Sequence, residues 1–210
     1  VITLSAEYLD PIKDALYCEA PGSPVRRSVQ TALYEIVRTL ATWMAPILCF
    51  TAEDVADELG HATGERFDVH GAVRGEQALP GREMKSNPNR RWLEEIRPRR
   101  AAILSRLESF RAAGHKSLEA KVVVKPSAAD RPHWQWNRDH LIELCVVSGI
   151  DVDPGDAAGE TEISIIEAPG PTCPRCWRRT GEASGSRHDP NLCRRCAAVV
   201  DSALAGSRAS

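Results

Sequence analysis

Cys173-Pro174-Arg175-Cys176-Trp177 and Cys193-Arg194-Arg195-Cys196 are the stretches from which this chain is read. Each holds a Cys-x-x-Cys pair, and sixteen residues separate Cys176 from Cys193. A pair at this spacing turns two sulfurs toward one point. Two pairs supply four thiolates, a closed tetrahedral shell for one structural Zn²⁺. Between them Gly181, Ser184, Gly185, Ser186, Asp189, Pro190 and Asn191 are loop residues with little core of their own. Such a segment needs a metal to fold, and Zn²⁺ binding supplies on the order of 10–16 kcal/mol in peptides of this kind. The residues alone leave two disulfides, or four unlinked thiols, as alternatives. His188, between the pairs, is a spare ligand beside four sulfurs that already suffice.

Working outward, Pro169-Gly170-Pro171 marks off a finger over residues 169–203, with 204–210 as a flexible tail. Upstream of it, Val122-Val123-Val124 is a β-branched run, and residues 117–125 are expected as a strand. Residues 133–144 are a helix candidate. Residues 145–152 and 161–168 are further strands, the latter with Ile163 and Ile165 alternating. Together these predict a small α/β module over 114–168. Residues 1–113 have a helical texture instead. Val25, Val29, Leu33, Ile36, Leu40, Met44 and Ile47 form one apolar stripe on a long helix. Ser23 is its expected cap, Pro24 its first position and Pro46 its end or kink. Before it, Asp10 caps a helix with Pro11 in the first turn, and the residues ahead of Asp10 end an earlier helix. Thr51 with Asp54 resembles a capping box for a short helix through Leu59. Residues 60–88 hold five Gly and two Pro without a sustained period and read as a long surface connection. Residues 89–113 return to helix, with Trp92, Ile96, Ile103, Leu107 and Phe110 inward, a restart or kink at Pro98 and Gly114 as the stop. Trp134 and Trp136, two apart, have no place in this pattern.

The 210 residues carry a net charge of −2, unevenly spread. Residues 89–113 and 169–210 each hold seven Arg against three acids, net +4, so the remainder carries −10. Two basic patches on an acidic body suit a polyanion partner, with solvated arginine-rich faces as the plainer reading. No apolar run approaches the ~20 residues of a membrane span. No basic-then-apolar opening predicts a signal peptide. An opening on Val1 rather than Met suits a chain cut from something longer. Cys18, Cys49 and Cys145 sit among apolar residues and are expected as small buried hydrophobes, a usage that suits a reducing cytoplasm.

Several segments together resemble a known family. Asp10-Pro11-Ile12-Lys13-Asp14-Ala15-Leu16-Tyr17-Cys18, Gln30-Thr31-Ala32-Leu33-Tyr34-Glu35-Ile36 and Ala45-Pro46-Ile47-Leu48-Cys49-Phe50-Thr51-Ala52-Glu53 resemble the anticodon-binding helical domain of isoleucyl-tRNA synthetases. Gly114-His115-Lys116-Ser117-Leu118-Glu119-Ala120 looks like the segment that follows it, and the two cysteine pairs resemble the finger that closes the bacterial-type enzyme. The resemblance spans nearly the whole chain in the family's order. It implies a mainly α fold: an anticodon-binding bundle, a small α/β module and a C-terminal four-cysteine zinc finger. It implies tRNA recognition within an isoleucine–tRNA ligase that uses ATP, as a cytoplasmic monomer with the catalytic half as partner. The family's His-Ile-Gly-His motif is absent, and Met84-Lys85-Ser86 is only an echo of its Lys-Met-Ser-Lys-Ser loop. Catalytic and editing sites are therefore not expected here. Pro11, Cys49 and Pro98 stand where the family has other residues, which puts local helix geometry in question.

The expected tRNA-binding residues are Trp177, Arg175, Arg178, Arg179, Arg194 and Arg195. Unpaired bases are read by stacking on aromatic or Arg planes, and Trp177 directly follows a metal ligand. Trp177 either stacks on a base or packs over the metal site. Arg90, Arg91, Arg99 and Arg100 are candidates for backbone contacts. The histidines suggest no triad. Two rival classes remain: a free-standing nucleic-acid-binding finger module, and a DNA base-lesion glycosylase, which would open on Pro-Glu where this chain opens on Val1-Ile2.

Overall fold

The computed structural model describes residues 2–65, 67–74, 92–155, 157, 159–181, 185–186 and 189–207. Most of the 60–88 connection, with Met84-Lys85-Ser86, and also Arg90, Arg91 and His188 lie outside them. The fold is mainly α with one three-stranded sheet. The chain divides into two compact units, Gly22–Ser86 and Val1–Pro21 with Asn87–Ser210, so the division falls inside the expected 1–113 helical stretch.

In Gly22–Ser86, helix α2 (Pro24–Met44) starts after Ser23 with Pro24 in its first turn. Two residues beyond Met44 stands Pro46, which lacks the N–H that a continuing helix needs. Ser23 occupies the cap position, but its side chain makes no cap hydrogen bond. Helix α3 (Cys49–Thr63) begins before Thr51 and runs past Leu59, so the expected capping box is instead helix interior. Helix α4 (Val69–Val73) is capped by Asp68, whose Oδ1 accepts from Gly71 N at 2.8 Å. The Gly-rich sequence gave no sign of this short turn, yet Phe67, Val69 and Ala72 are buried. They meet Ala41 and Ala45 at the end of α2 and Ala52 and Ala56 of α3. Small residues four apart let the helices approach closely. The predicted apolar stripe is not what they bury: Leu40, Met44 and Ile47 are exposed and none of its other members is fully buried. Cys49, expected inside, is exposed as well.

The second unit opens with a short helical stretch, residues 2–9, that widens to π geometry over Ser5–Leu9. Helix α1 (Lys13–Cys18) follows, with Ile12 rather than Asp10 in the cap position. Asp10 instead takes Lys13 Nζ at 2.7 Å. After the π turn Trp92–Ile96, α5 (Arg97–Ala112) restarts with Pro98 in its first turn. Gly114, at φ +94°, stops it in a backbone conformation that side chains disfavour. Strand β1 (Ala120–Lys125) lies between β2 (Gly149–Val152) and β3 (Glu162–Glu167). It is parallel to β2, with Val122 opposite Ile150, and antiparallel to β3, with Val122 opposite Ile165. A parallel neighbour requires a crossover, which α6 (Arg131–Cys145) provides. Cys145 thus ends a helix instead of opening a strand. Alternation along β1 puts Ala120, Val122 and Val124 on one face, where Ile103 and Leu107 of α5 and Trp134 and Leu141 of α6 cover them. Trp136, two residues on, is exposed.

Candidate metal centre and nucleic-acid interface

The first cysteine pair lies in a tight turn. Trp177 N donates to Cys173 O at 2.8 Å and Cys173 N to Arg178 O at 3.0 Å, while Thr172 and Arg179 pair across its base. The turn closes with Trp177 at φ +60°, the left-handed region. Gly170 precedes it at φ +88°, where an added Cβ would strike the Thr180 carbonyl. In the second pair Cys193 leads into helix α7 (Arg194–Ser207), with Ala197 N donating to Cys193 O at 2.9 Å. That helix occupies residues 204–207 of the expected tail.

All four sulfurs, Cys173, Cys176, Cys193 and Cys196, are buried and lie within 4.8 Å of one another, so they can hold a metal ion. The Cys176 and Cys193 sulfurs are 3.8 Å apart. That is the edge of a tetrahedron of sulfurs set about 2.3 Å from a central ion, and far from the ~2.05 Å of a disulfide. Electrostatics agree. Burial resists a charge on Cys173, but N–H groups of Cys176, Cys193 and Arg175 directed at its sulfur bring the thiol down to about 6. Burial, reinforced by the adjacent sulfurs, pushes Cys176 up to about 11. Burial likewise raises Cys196, against a hydrogen bond from Arg175. Four thiolates do not share this space unaided, whereas a central cation stabilises all of them. Leu192, Ala197 and Cys18 complete the small core around the cysteines.

Most of the expected RNA-binding arginines are committed within the chain. Arg195 forks onto Asp14, at 2.6 and 2.7 Å, and reaches Glu19 at 3.5 Å. Arg178 approaches Asp14 at 3.4 Å. Arg175 donates to Cys18 O at 2.5 Å, Tyr17 O at 3.2 Å and Cys196 Sγ at 3.7 Å. Arg179 pairs with Glu167 and Glu119. On α5, Arg99 pairs with Asp130 at 2.6 Å, and Arg100 donates to the carbonyls of Leu144 and Ala6. Charge density predicted a basic surface, but acids and carbonyls distant in sequence take up these guanidinium groups. Arg194 is exposed with no acid against it among the described residues. Trp177 is 65% exposed. Beside it is a cavity of about 420 Å³, lined by Tyr17, Trp177, Pro11, Leu118 and Val146 among others.

Residues 1–122 match the family described as the anticodon-binding domain of tRNA ligase. This chain belongs to that family. The chain is also 37% identical over 207 residues to an isoleucine–tRNA ligase of Gluconobacter oxydans, covering 94% of the chain and 20% of the relative. Isoleucine–tRNA ligases of Desulfotalea psychrophila and Thermotoga maritima match at 35% and 36% identity, covering 95% and 94% of the chain and 22% of each relative. The chain therefore spans about a fifth of the length of the curated relatives it matches.

Asp14, Tyr17 and Cys18 lie against the cysteine knuckles, although the motif reading singled out none of them. They lie inside the quoted Asp10-to-Cys18 segment, but no local spacing joins residue 14 to residue 195. An acid on a six-residue helix, in a chain with an Arg-rich finger, was the available signal.

Proposed function

We propose that this chain is the tRNA-recognising C-terminal part of an isoleucine–tRNA ligase, the ATP-using enzyme that joins isoleucine to its tRNA. The observation that carries the reading is an exposed Trp177 on a four-cysteine knuckle, in a chain that matches the anticodon-binding family. One Zn²⁺ fits the four sulfurs by ligand type and spacing, and its role is structural, since the shell leaves no open position. Catalysis falls to a part of the enzyme outside this chain, working as a monomer in the cytoplasm, and isoleucine tRNA is the partner. Here the domain's chemistry is recognition. Unpaired anticodon bases offer faces that a duplex hides, and Trp177 is available to stack on one. Arg194, exposed at the start of α7 with no acid against it among the described residues, is placed to meet a phosphate. Arg175, Arg178, Arg179 and Arg195 serve first to hold the finger's surroundings, with any contact to RNA secondary to that.

The test compares binding of isoleucine tRNA with that of a transcript altered in the anticodon. The native anticodon is expected to bind more tightly, and Trp177→Ala to remove about 1–3 kcal/mol of that affinity while zinc content stays at one per chain. Equal affinity for both transcripts would overturn the reading.

A further inference from the structure

Helix α1 has only six residues, too few to be stable alone. Its ties to the rest of its unit come largely from the cysteine knuckles. Asp14, on its first turn, receives both terminal nitrogens of Arg195, 181 positions away, and one of Arg178. Burial opposes the charge on this carboxylate. The Arg195 hydrogen bond and the two guanidinium charges more than offset that, and hold its carboxyl below the ordinary range. At the other end, where helix carbonyls lack partners, Arg175 donates to the Tyr17 and Cys18 carbonyls. The Cys18 thiol returns a hydrogen bond to Arg175 O at 3.7 Å and is buried among the four metal cysteines. Every one of these arginines is within two residues of a cysteine of the metal set: Arg175 and Arg178 flank Cys176, and Arg195 precedes Cys196.

This docking leaves one aromatic ring of α1 directed outward. Tyr17 is 72% exposed, and it lines the same cavity as Trp177. The cavity volume lies within the roughly 300–1,000 Å³ of small-ligand sites. Its exposed lining is mostly apolar, with Pro11, Leu118 and Val146 beside the rings of Tyr17 and Trp177, and charged side chains such as Lys13, Glu143 and Arg178 also line it. An extruded nucleobase has the matching chemistry: a flat apolar face for each ring and polar edges for the rim.

We propose that Tyr17 is a second base-contacting residue of the RNA site, and that Asp14 is the positioning residue that holds it beside Trp177 through the metal knuckles. The proposal rests on the tRNA-recognition reading above and adds a residue and a dependence to it. Metal loading then has a consequence beyond the finger, because it builds one wall of the cavity from a segment more than 150 residues away in sequence.

The test uses the zinc-loaded full chain and an anticodon stem-loop RNA. Tyr17 is a surface side chain, so Tyr17→Ala leaves the fold intact. It is expected to weaken binding about 5- to 100-fold, and Tyr17→Phe to restore it, since stacking needs only the ring. Asp14→Asn is expected to weaken binding similarly with zinc content unchanged. It is also expected to speed amide exchange over residues 13–18, which Tyr17→Ala does not. Chelating the metal from the wild type should speed the same amides while β1 stays protected. Weakening by Trp177→Ala with none by Tyr17→Ala would overturn the proposal and leave the broader reading standing. No RNA binding by the wild type would sink both. Unchanged exchange over 13–18 in Asp14→Asn would remove Asp14 from the positioning role.

Discussion

The two units of this chain solve the problem of a hydrophobic core in opposite ways. The sheet-bearing unit fully buries large side chains, Ile103, Leu107, Trp134, Leu141 and Ile150 among them. Gly22–Ser86 buries mostly alanines, with Val69 and Phe67, and leaves large apolar groups outside. Trp43 is 70% exposed, Ile47 83% and Phe50 84%. Apolar pattern therefore means something different in each. In the first it marks an interior; in the second it marks a face that the unit itself does not cover, the kind of surface that serves interaction.

The largest effect expected is at the four-cysteine cluster. Cys176→Ser should lower zinc from about one per chain to none and unfold the finger, with on the order of 10 kcal/mol of metal-binding energy lost. The sheet core, which shares no buried residue with the cysteine cluster, should keep its near-ultraviolet dichroism. Loss of both signals together would show one cooperative core in place of two. Next comes Leu107→Ala, expected to destabilise the sheet-bearing unit by about 2–5 kcal/mol in urea unfolding. Asp68→Ala, which removes the cap of α4, should cost the other unit about 1 kcal/mol. The smallest effect is at Phe50: Phe50→Ser should change stability by no more than about 0.5 kcal/mol. A much larger loss would mean that the exposed face is already packed, and the contrast between the units would fail.

What the sequence revealed followed from how local the signals were. The four cysteines that the structure gathers come as two Cys-x-x-Cys pairs, so spacing alone pointed to the cluster. Helix α2 is bounded by Pro24 and Pro46, and β1 by its β-branched run. Proline and side-chain branching act on the residues that carry them. Errors arose where a long-range partner decides. Cys145 looked like the start of a strand because Val146 and Val147 follow it, but it packs in the core as the last residue of α6. Cys49 sits in an apolar stretch, Pro46 to Phe50, that is exposed throughout. Thr51 had cap chemistry, yet α3 already begins at Cys49 behind Leu48. Arg99 and Arg195 looked like free charge because Asp130 and Asp14 are 31 and 181 positions distant. The periodicity of α2 told which of its faces is apolar and carried no information about what meets that face.

A non-glycine residue held in the left-handed region carries a backbone penalty of about 1–3 kcal/mol, and at position 177 of the first knuckle the residue in that conformation is tryptophan. Glycine there would relax the turn, and a β-branched residue would strain it further. Trp177→Gly should thus tighten the knuckle while erasing its ring, so metal retention and RNA affinity ought to move in opposite directions. The indole is held in place against the preference of its own main chain.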